Sequence, residues 1–259
     1  QTPQEGLSTR GVSSPIEPRW FRLLCLSLVL MRCQPLRRAL SERVGYMKKN
    51  NYILPTLWET ITNKQHVIQV SEYLELAFDS LLDNEIIKTI PIVNFMVAGN
   101  NLTSSIKDQL LLKKLLLFIN SQSDISTEKC DEFLLQLESD PKKKIQIGEK
   151  LMLVLEQADD MSKPELIGDL FKAFIAQEFD FTVFSRLVDG VIRVPISALS
   201  DFLQHEFSSV STENTVALAF GGFMSSSVSI FVGSDDALIS YKPNSLGNLL
   251  KKYCGKTFT

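Results

Sequence analysis

The sequence predicts a mainly α fold, a multi-helix bundle of antiparallel helices with a small C-terminal α/β module. Three observations support this fold class. Apolar residues recur at helical spacing through most of 66–194, short loops with capping residues separate the runs, and strand-like alternation begins only after Pro195. The chain is 44% apolar and 22% charged, which is a globular composition with enough apolar residues for a sizeable core.

The first 46 residues differ in composition from the rest of the chain. Positions 1–46 contain seven arginines, no lysine and three acidic residues, whereas 47–259 contain eighteen lysines, two arginines and twenty-seven acidic residues. Two interpretations are open. Leu23–Met31 is the apolar core of a signal peptide, or the natural protein begins at Met47. No small-x-small cleavage motif follows Met31, so we favour the second and predict a non-native or disordered leader over 1–46.

The most apolar stretch is Ile106–Ile119, where only Lys113 and Lys114 interrupt an apolar surface that covers nearly the whole helix. The apolar part would be ~15 Å long, half of the ~30 Å of hydrocarbon that a membrane span must cross. With 86–98, this stretch predicts a helical hairpin, 86–119. We interpret the hairpin as a buried part of the core, and membrane insertion after a trigger is the alternative.

This helix is predicted to be the centre of the helical domain. Leu116 and Phe118 lie on different faces of this helix. We expect both side chains to be buried, because neither face carries polar residues other than Lys113 and Lys114. The expected neighbours are two apolar stripes on later helices (Cys130, Phe133, Leu134 and Leu137; Leu166, Leu170 and Phe174).

Capping signals mark the other helices. An amphipathic helix is predicted over 66–82, and Asp140-Pro141 supplies an N-cap followed by a proline at the first helical position. Ser162 and Glu165 have the spacing of a capping box, and Asp180 is placed to cap the last helix of the bundle. These signals assign 47–195 to the helical bundle domain.

A change of pattern after Pro195 predicts a separate module, 196–259. Two short helices, 197–207 and 212–224, precede alternating Val228, Ile230 and Val232, and a return strand then leads to a final helix from Pro243. This order of helix, helix, hairpin and helix resembles the winged-helix family. Tyr241–Gly247 is similar to the tyrosine–threonine–x–leucine–glycine join of such domains, with Asn244 where the pattern has threonine.

The charges of this module do not fit DNA binding, which the resemblance would imply. A recognition helix needs lysine or arginine, since phosphate neutralisation supplies most of the affinity. Thr212–Met224 has no basic residue, and Asp235 and Asp236 lie at the predicted hairpin tip. We therefore do not expect a nucleic-acid partner.

Residues that could carry chemistry are scattered. The only histidines, His66 and His205, have neither metal-ligand nor catalytic-triad spacing, and Asp159-Asp160 is interpreted as a helix end. Gly221-Gly222 lacks the pattern of a phosphate loop. Four cysteines without a CxxC pair predict reduced thiols in a cytosolic protein. We predict no enzyme and no catalytic, cofactor-binding or metal-binding residue.

Residues 90–119 and 140–193 together resemble a group of bacterial proteins of unknown function, which share a helical core matching residues 70 to about 195. The resemblance implies a bacterial accessory gene and transfers no catalytic residue. We expect a non-enzymatic cytoplasmic protein, regulatory or defence-type, that acts by protein–protein contact with an unidentified partner. The alternatives are a membrane-active, membrane-associated protein that uses hairpin 86–119, and a DNA-binding transcription regulator. The oligomeric state is left open.

Overall fold

A computed structural model describes residues 53–74, 85–98, 106–230 and 237–256. This part of the chain is mainly helical, with one two-stranded antiparallel sheet near the C-terminus, which confirms the predicted fold class. Three predicted features lie outside the described residues: the leader 1–46, the second half of the helix over 66–82, and the hairpin tip at Asp235 and Asp236.

Eleven helices and two strands are described, together with two short 3-10 helices at Ile87–Thr89 and Phe207–Ser209. In chain order they are α1 (53–62), α2 (Lys64–Tyr73), α3 (Pro91–Ala98), α4 (Ile106–Asn120), α5 (Thr127–Ser139), α6 (Pro141–Gln157), α7 (Lys163–Ile175), α8 (Phe181–Arg193), α9 (Ile196–Gln204), α10 (Thr212–Phe220), β1 (Met224–Ile230), β2 (Ala237–Pro243) and α11 (Ser245–Cys254).

Two of the predicted helix caps are confirmed. Asp140 Oδ1 accepts from the Lys143 N–H at 3.1 Å, and Asp180 Oδ1 accepts from the Val183 N–H at 2.8 Å. The capping box predicted at Ser162 is wrong, because Ser162 has helical dihedral angles and its side chain makes no capping bond. A capping side chain needs an extended backbone at the N-cap to reach the free amides of the first turn.

The centre of the core is α7 rather than the predicted Ile106–Ile119 helix. Helix α7 packs against α4, α5, α8 and α11, and its Phe171 is fully buried. In the described ranges, five other aromatic rings have their centroids within 6.4 Å of the Phe171 ring (Trp58, Phe118, Phe133, Phe174 and Phe184). Aromatic pairs at such distances add to the free energy of burial.

Helix α4 is buried on two faces, as predicted. Leu116 is 3% exposed and Phe118 is 0% exposed. Helix α7 covers α4, as expected from the stripe that includes Leu166, but the other main neighbours are α2, α3 and α6. The prediction that the Cys130 stripe is the second main neighbour is wrong, because α5 packs mainly on α6 and α7, where the Phe133 ring contacts Phe171 and Phe174.

The apolar residues of 86–98 also enter the core. Pro91 is the first residue of α3, so the stretch divides into a 3-10 helix and an α-helix. Its buried side chains are Ile87, Ile90, Ile92, Val93 and Met96. The Ile92 N–H donates to Thr60 Oγ1 at 3.2 Å, which ties α3 to α1. Among the described residues, none of the helices has both the length and the apolar character needed to cross a membrane.

Gly168 has no side chain, and this allows α7 to lie close to the turn that follows α4. Gln122 Nε2 donates to Gly168 O at 3.2 Å and to Phe118 O at 3.0 Å. We expect Gly168→Ala to lower the free energy of unfolding by about 1–3 kcal/mol, because the added methyl would overlap Ser121 Oγ. Urea denaturation checks this, with Gly148→Ala as control, since an added Cβ at Gly148 would lie 2.9 Å from a terminal methyl carbon of Leu54 and 3.2 Å from Trp58 Nε1, which is a milder overlap than that at Gly168. Equal losses in both variants would contradict the assignment.

The C-terminal elements continue the same core. Helix α11 packs on α7 and α8, and α10 packs on α8. Phe223, which is fully buried, precedes β1, and the Asn244 N–H donates to Phe223 O at 3.0 Å. Asn244 also caps α11, since its Oδ1 accepts from the Gly247 N–H at 3.0 Å and its Nδ2 donates to Gly222 O at 2.9 Å. The domain boundary placed at residue 195 stays a prediction.

Candidate functional site

The residues that the sequence analysis weighed for chemistry lie on different elements. His66 Nδ1 is on α2, 3.3 Å from Gln69 Oε1, and His205 Nδ1 follows α9, 3.3 Å from Asp201 Oδ1. Within the described part of the chain, no group of three or more His, Cys, Asp or Glu side chains is arranged to hold a metal ion. The structure therefore does not bring these residues together.

The Asp159-Asp160 pair organises the start of α7. The Asp160 Oδ1 accepts from the Ser162 N–H at 2.8 Å, and Asp159 Oδ1 lies 2.6 Å from Lys163 Nζ. Lys163 is 1% exposed, and its Nζ also donates to Ile192 O in the last turn of α8 at 3.0 Å. Partial burial acts to raise the pKa of Asp159, but the hydrogen bond and charge of Lys163 outweigh it and lower the pKa. Asp159 thus neutralises a buried lysine that caps α8.

The two cysteines in the described residues are free thiols, Cys130 and Cys254. Burial raises the pKa of Cys254, whose Sγ donates to Leu166 O at 3.6 Å. Burial, followed by the charge of Asp131, also raises the pKa of Cys130. Raised pKa values keep both thiols protonated at neutral pH, which is typical of structural cysteines rather than nucleophiles.

A polar cleft of about 760 Å³ lies between the turn after α4, helix α7 and helix α11. We call it the α7–α11 cleft. Its walls carry serine hydroxyls, four carboxylates and three lysines; the charged residues are Asp124, Glu165, Asp169, Glu178, Lys129, Lys172 and Lys256. Clefts of this size are the usual places for ligands in proteins.

Several of the charged side chains that line the cleft are paired with neighbouring side chains. Lys172 Nζ lies 2.7 Å from Asp169 Oδ1, and the Tyr253 hydroxyl donates to Glu178 Oε2 at 2.7 Å. The Tyr253 hydrogen bond, and then the charge of Lys252, lower the pKa of Glu178. Glu165 is different: among the described residues it has no hydrogen-bond or ion-pair partner. The cleft wall therefore carries charges of both signs.

The pKa of Glu165 gives a pH-dependent prediction. Burial, and then the charge of Asp169, raise this pKa above the ordinary value of a glutamate side chain. The folded protein therefore holds this proton more tightly than the unfolded chain, and ionising Glu165 costs stability as pH rises through the interval between the two pKa values. We expect Glu165→Gln to be more stable than the parent protein at neutral pH. The difference should shrink below the unfolded-state pKa, and a pH series of urea denaturation curves checks this; a constant difference would contradict it.

A second surface lies on the β-hairpin. One face carries the cross-strand neighbours Met224 and Pro243, then Ser226 and Tyr241, then Val228 and Ile239. Met224 is buried at the base of the hairpin, whereas Val228 is 60% exposed and Ile239 is 54% exposed. On the opposite face, Ser227 Oγ and Ser240 Oγ are 2.7 Å apart. The hairpin thus carries an apolar pair beyond the core, which we call the hairpin face (Val228 and Ile239).

Only part of the hairpin face could be predicted from the sequence. Alternation at Val228 and Ile230 predicted a strand with one apolar face, and such a face is normally buried. The exposure of Val228 could not be predicted, because it depends on where α10 and α11 end relative to the strands. Glu165 was assigned to a cap, because the same residue type suits both a helix start and a cleft wall.

Two lysines of α11 are engaged within the fold, whereas Lys242 on β2 is exposed. Lys251 Nζ donates to His205 O at 2.6 Å, and Lys252 Nζ lies 3.5 Å from Glu178 Oε2. Helix α10, which would be the recognition helix of a winged-helix domain, carries Glu213 and no basic residue. These contacts favour the expectation of no nucleic-acid partner, which stays a prediction.

Comparison of the chain with protein-family models, curated proteins and solved structures finds no match. The likeness to uncharacterised bacterial helical proteins and to the winged-helix family therefore stays a prediction. Function has to be argued from the two surfaces themselves, the α7–α11 cleft and the hairpin face.

Proposed function

We propose that this chain is a non-enzymatic bacterial accessory protein, regulatory or defence-type, that works by binding another protein through the hairpin face. The observation that carries the proposal is the exposure of Val228 and Ile239 side by side on neighbouring strands. Single exposed apolar residues are ordinary, whereas contiguous exposed apolar surface is typical of contact sites. A partner with an apolar surface of its own would remove this pair from water.

The hairpin's architecture supports the same proposal. A two-stranded hairpin is marginally stable by itself in water and gains stability when one face is covered. Only the base of this hairpin is covered within the described residues, by the contacts of Met224 and Tyr241 with the core. A protein partner would extend this cover to Val228 and Ile239.

The other two functions gain less support. A membrane-active hairpin needs 86–119 to offer apolar side chains to lipid, but most of those described are part of the core, including Ile92, Leu116 and Phe118. A transcription regulator needs basic residues on α10, and that helix has none. A protein partner at the hairpin face remains the function that the surfaces favour.

Photo-cross-linking from the hairpin tests the proposal. A photoreactive amino acid is placed at Ile239 of the full chain, in cells that naturally produce it, and captured proteins are identified by mass spectrometry. The matched control is the same amino acid at Leu135 on α5, which is 67% exposed but lies on a helix away from the hairpin. We expect one defined partner protein at position 239 and none at position 135.

Two results would contradict the proposal. One is a capture from position 239 that is empty, that matches the control, or that contains only further copies of this chain. The other is a measured turnover of a nucleotide, peptide or ester that disappears when one polar residue is changed, since this would identify an enzyme.

Val228→Ser should reduce the yield of captured partner several-fold, because it removes the apolar neighbour of Ile239.

A further inference from the structure

Among the described residues, no third strand covers the outer edge of either hairpin strand. Strands β1 and β2 pair only with each other in the part of the chain that the structure describes. The residues from Ser225 to Val228 on β1 are all exposed. An open strand edge presents a row of N–H and C=O groups that another strand can pair with.

The hydrogen-bond pattern shows which groups of β1 point outwards. The Asn244 N–H donates to Phe223 O at 3.0 Å, so these two residues form a hydrogen-bonded pair. Such pairs alternate along an antiparallel ladder. Ser225 and Ser227 therefore direct their backbone groups to β2, and the N–H and C=O of Ser226 and Val228 point away from it. Within the described ranges no third strand pairs with these outward groups, so they can form a second ladder.

The two edges differ in how well they are protected. Natural edge strands are protected from unwanted pairing by lysine and proline. Strand β2 has both: Lys242 is exposed, and Pro243 occupies an outward-pointing position where it supplies no N–H. Strand β1 reads MSSSVSI over Met224–Ile230, with no charged residue and no proline. Only the β1 edge is therefore suited to pairing.

We infer that the β1 edge pairs with the β1 edge of a second copy of this chain, forming an antiparallel four-stranded sheet across a two-fold axis. Centring the axis on Ser227 lets Met224–Ile230 overlap along its whole length, with Ser226 opposite Val228 of the other copy. The edge is self-complementary because an uncharged strand creates no like-charge contact at the axis. Pairing stops at two copies, since the outer β2 edges are protected.

This dimer goes beyond the proposed function and does not depend on it. The dimer uses the backbone edge of β1, whereas the partner contact uses the side chains of Val228 and Ile239. Both hairpin faces would lie on the same side of the four-stranded sheet, because side chains of paired strands share a face. The dimer would thus offer two apolar pairs to one partner, and either inference can fail while the other stands.

Light scattering after size-exclusion chromatography tests the dimer on the full chain. One added strand pair buries little area, so the dimer should be weak and its mass should rise from one chain towards two with concentration. Ser226→Pro removes a backbone N–H that points away from β2, and it breaks no hydrogen bond between β1 and β2. This variant should therefore keep the hairpin but show no rise in mass with concentration. Val228→Lys should do the same by placing like charges near the axis, whereas Ile239→Lys on β2 should still dimerise.

Disulfide trapping provides a second readout of the register. Ser227→Cys should give a cross-linked dimer under copper–phenanthroline oxidation, because residue 227 faces its own copy across the axis. Its cross-strand neighbour Ser240→Cys lies on β2 and should give no more than the unsubstituted chain. The inference is overturned if the parent chain stays monomeric at high concentration, if Ser226→Pro leaves the dimer intact while circular dichroism shows a folded chain, or if both cysteine variants cross-link equally.

Discussion

Replacing Phe171 by alanine is expected to lower the free energy of unfolding by about 3–5 kcal/mol, one of the two largest effects predicted for this chain. Phe171 is fully buried on α7, and its ring has five aromatic neighbours. Those neighbours come from α1, α4, α5, α7 and α8, so they cannot all move to fill the same space. The substitution therefore leaves a cavity as well as losing apolar burial. Urea denaturation of the purified protein measures the change.

Phe220→Ala is the matched control for this prediction, since it makes the same chemical change at a side chain that is 82% exposed. We expect it to change the free energy of unfolding by less than about 0.5 kcal/mol. A Phe171→Ala variant that loses no more than the control would show that α7 is not the centre of the core.

The second large effect concerns α4, where both Leu116→Ala and Phe118→Ala are expected to be costly. The expected losses are about 2–5 kcal/mol for Leu116 and about 3–5 kcal/mol for Phe118. The reason is that α4 is covered on both faces, by α7 and by α2, α3 and α6. Neither Leu116 nor Phe118 is more than 3% exposed. Thermal and urea denaturation of the two single variants measure the effects.

Leu110→Ala on the same helix is the control, because Leu110 is 42% exposed and should lose far less. One costly and one neutral change at Leu116 and Phe118 would describe a helix buried on one side only. If both changes are neutral, the apolar stretch 106–119 must face something outside this chain, and the membrane-active alternative would gain support.

The helices could be predicted because helical spacing and capping are local properties of the sequence. Asp140-Pro141 and Asp180 begin helices as expected, since a side chain three residues from a free amide can reach it in any tertiary context. The central position of α7 could not be predicted in the same way. Its apolar stripe resembles those of its neighbours, and only the packing of other helices around it brings the rings of Trp58, Phe118, Phe133 and Phe184 close to Phe171.

The candidate surfaces were the least predictable part, because exposure depends on which elements end near one another. The alternation at Val228 predicts a strand, yet nothing local indicates that Met224 is buried while Val228, on the same face, is exposed. Lys163 is a comparable case. A lysine at the start of a helix is expected to be exposed to solvent. Here the Lys163 Nζ donates to Ile192 O at the end of α8, and the charge of Asp159 neutralises it.

The most direct measurement of the central claim is the partner captured by a photoreactive group at position 239 of the full chain, compared with position 135. The proposal that the hairpin face binds another protein predicts one defined partner from 239, a several-fold smaller yield in Val228→Ser, and no specific capture from 135. Equal yields from the two positions, or an unchanged yield in Val228→Ser, would contradict it, because the exposed pair of Val228 and Ile239 would then not be the contact surface.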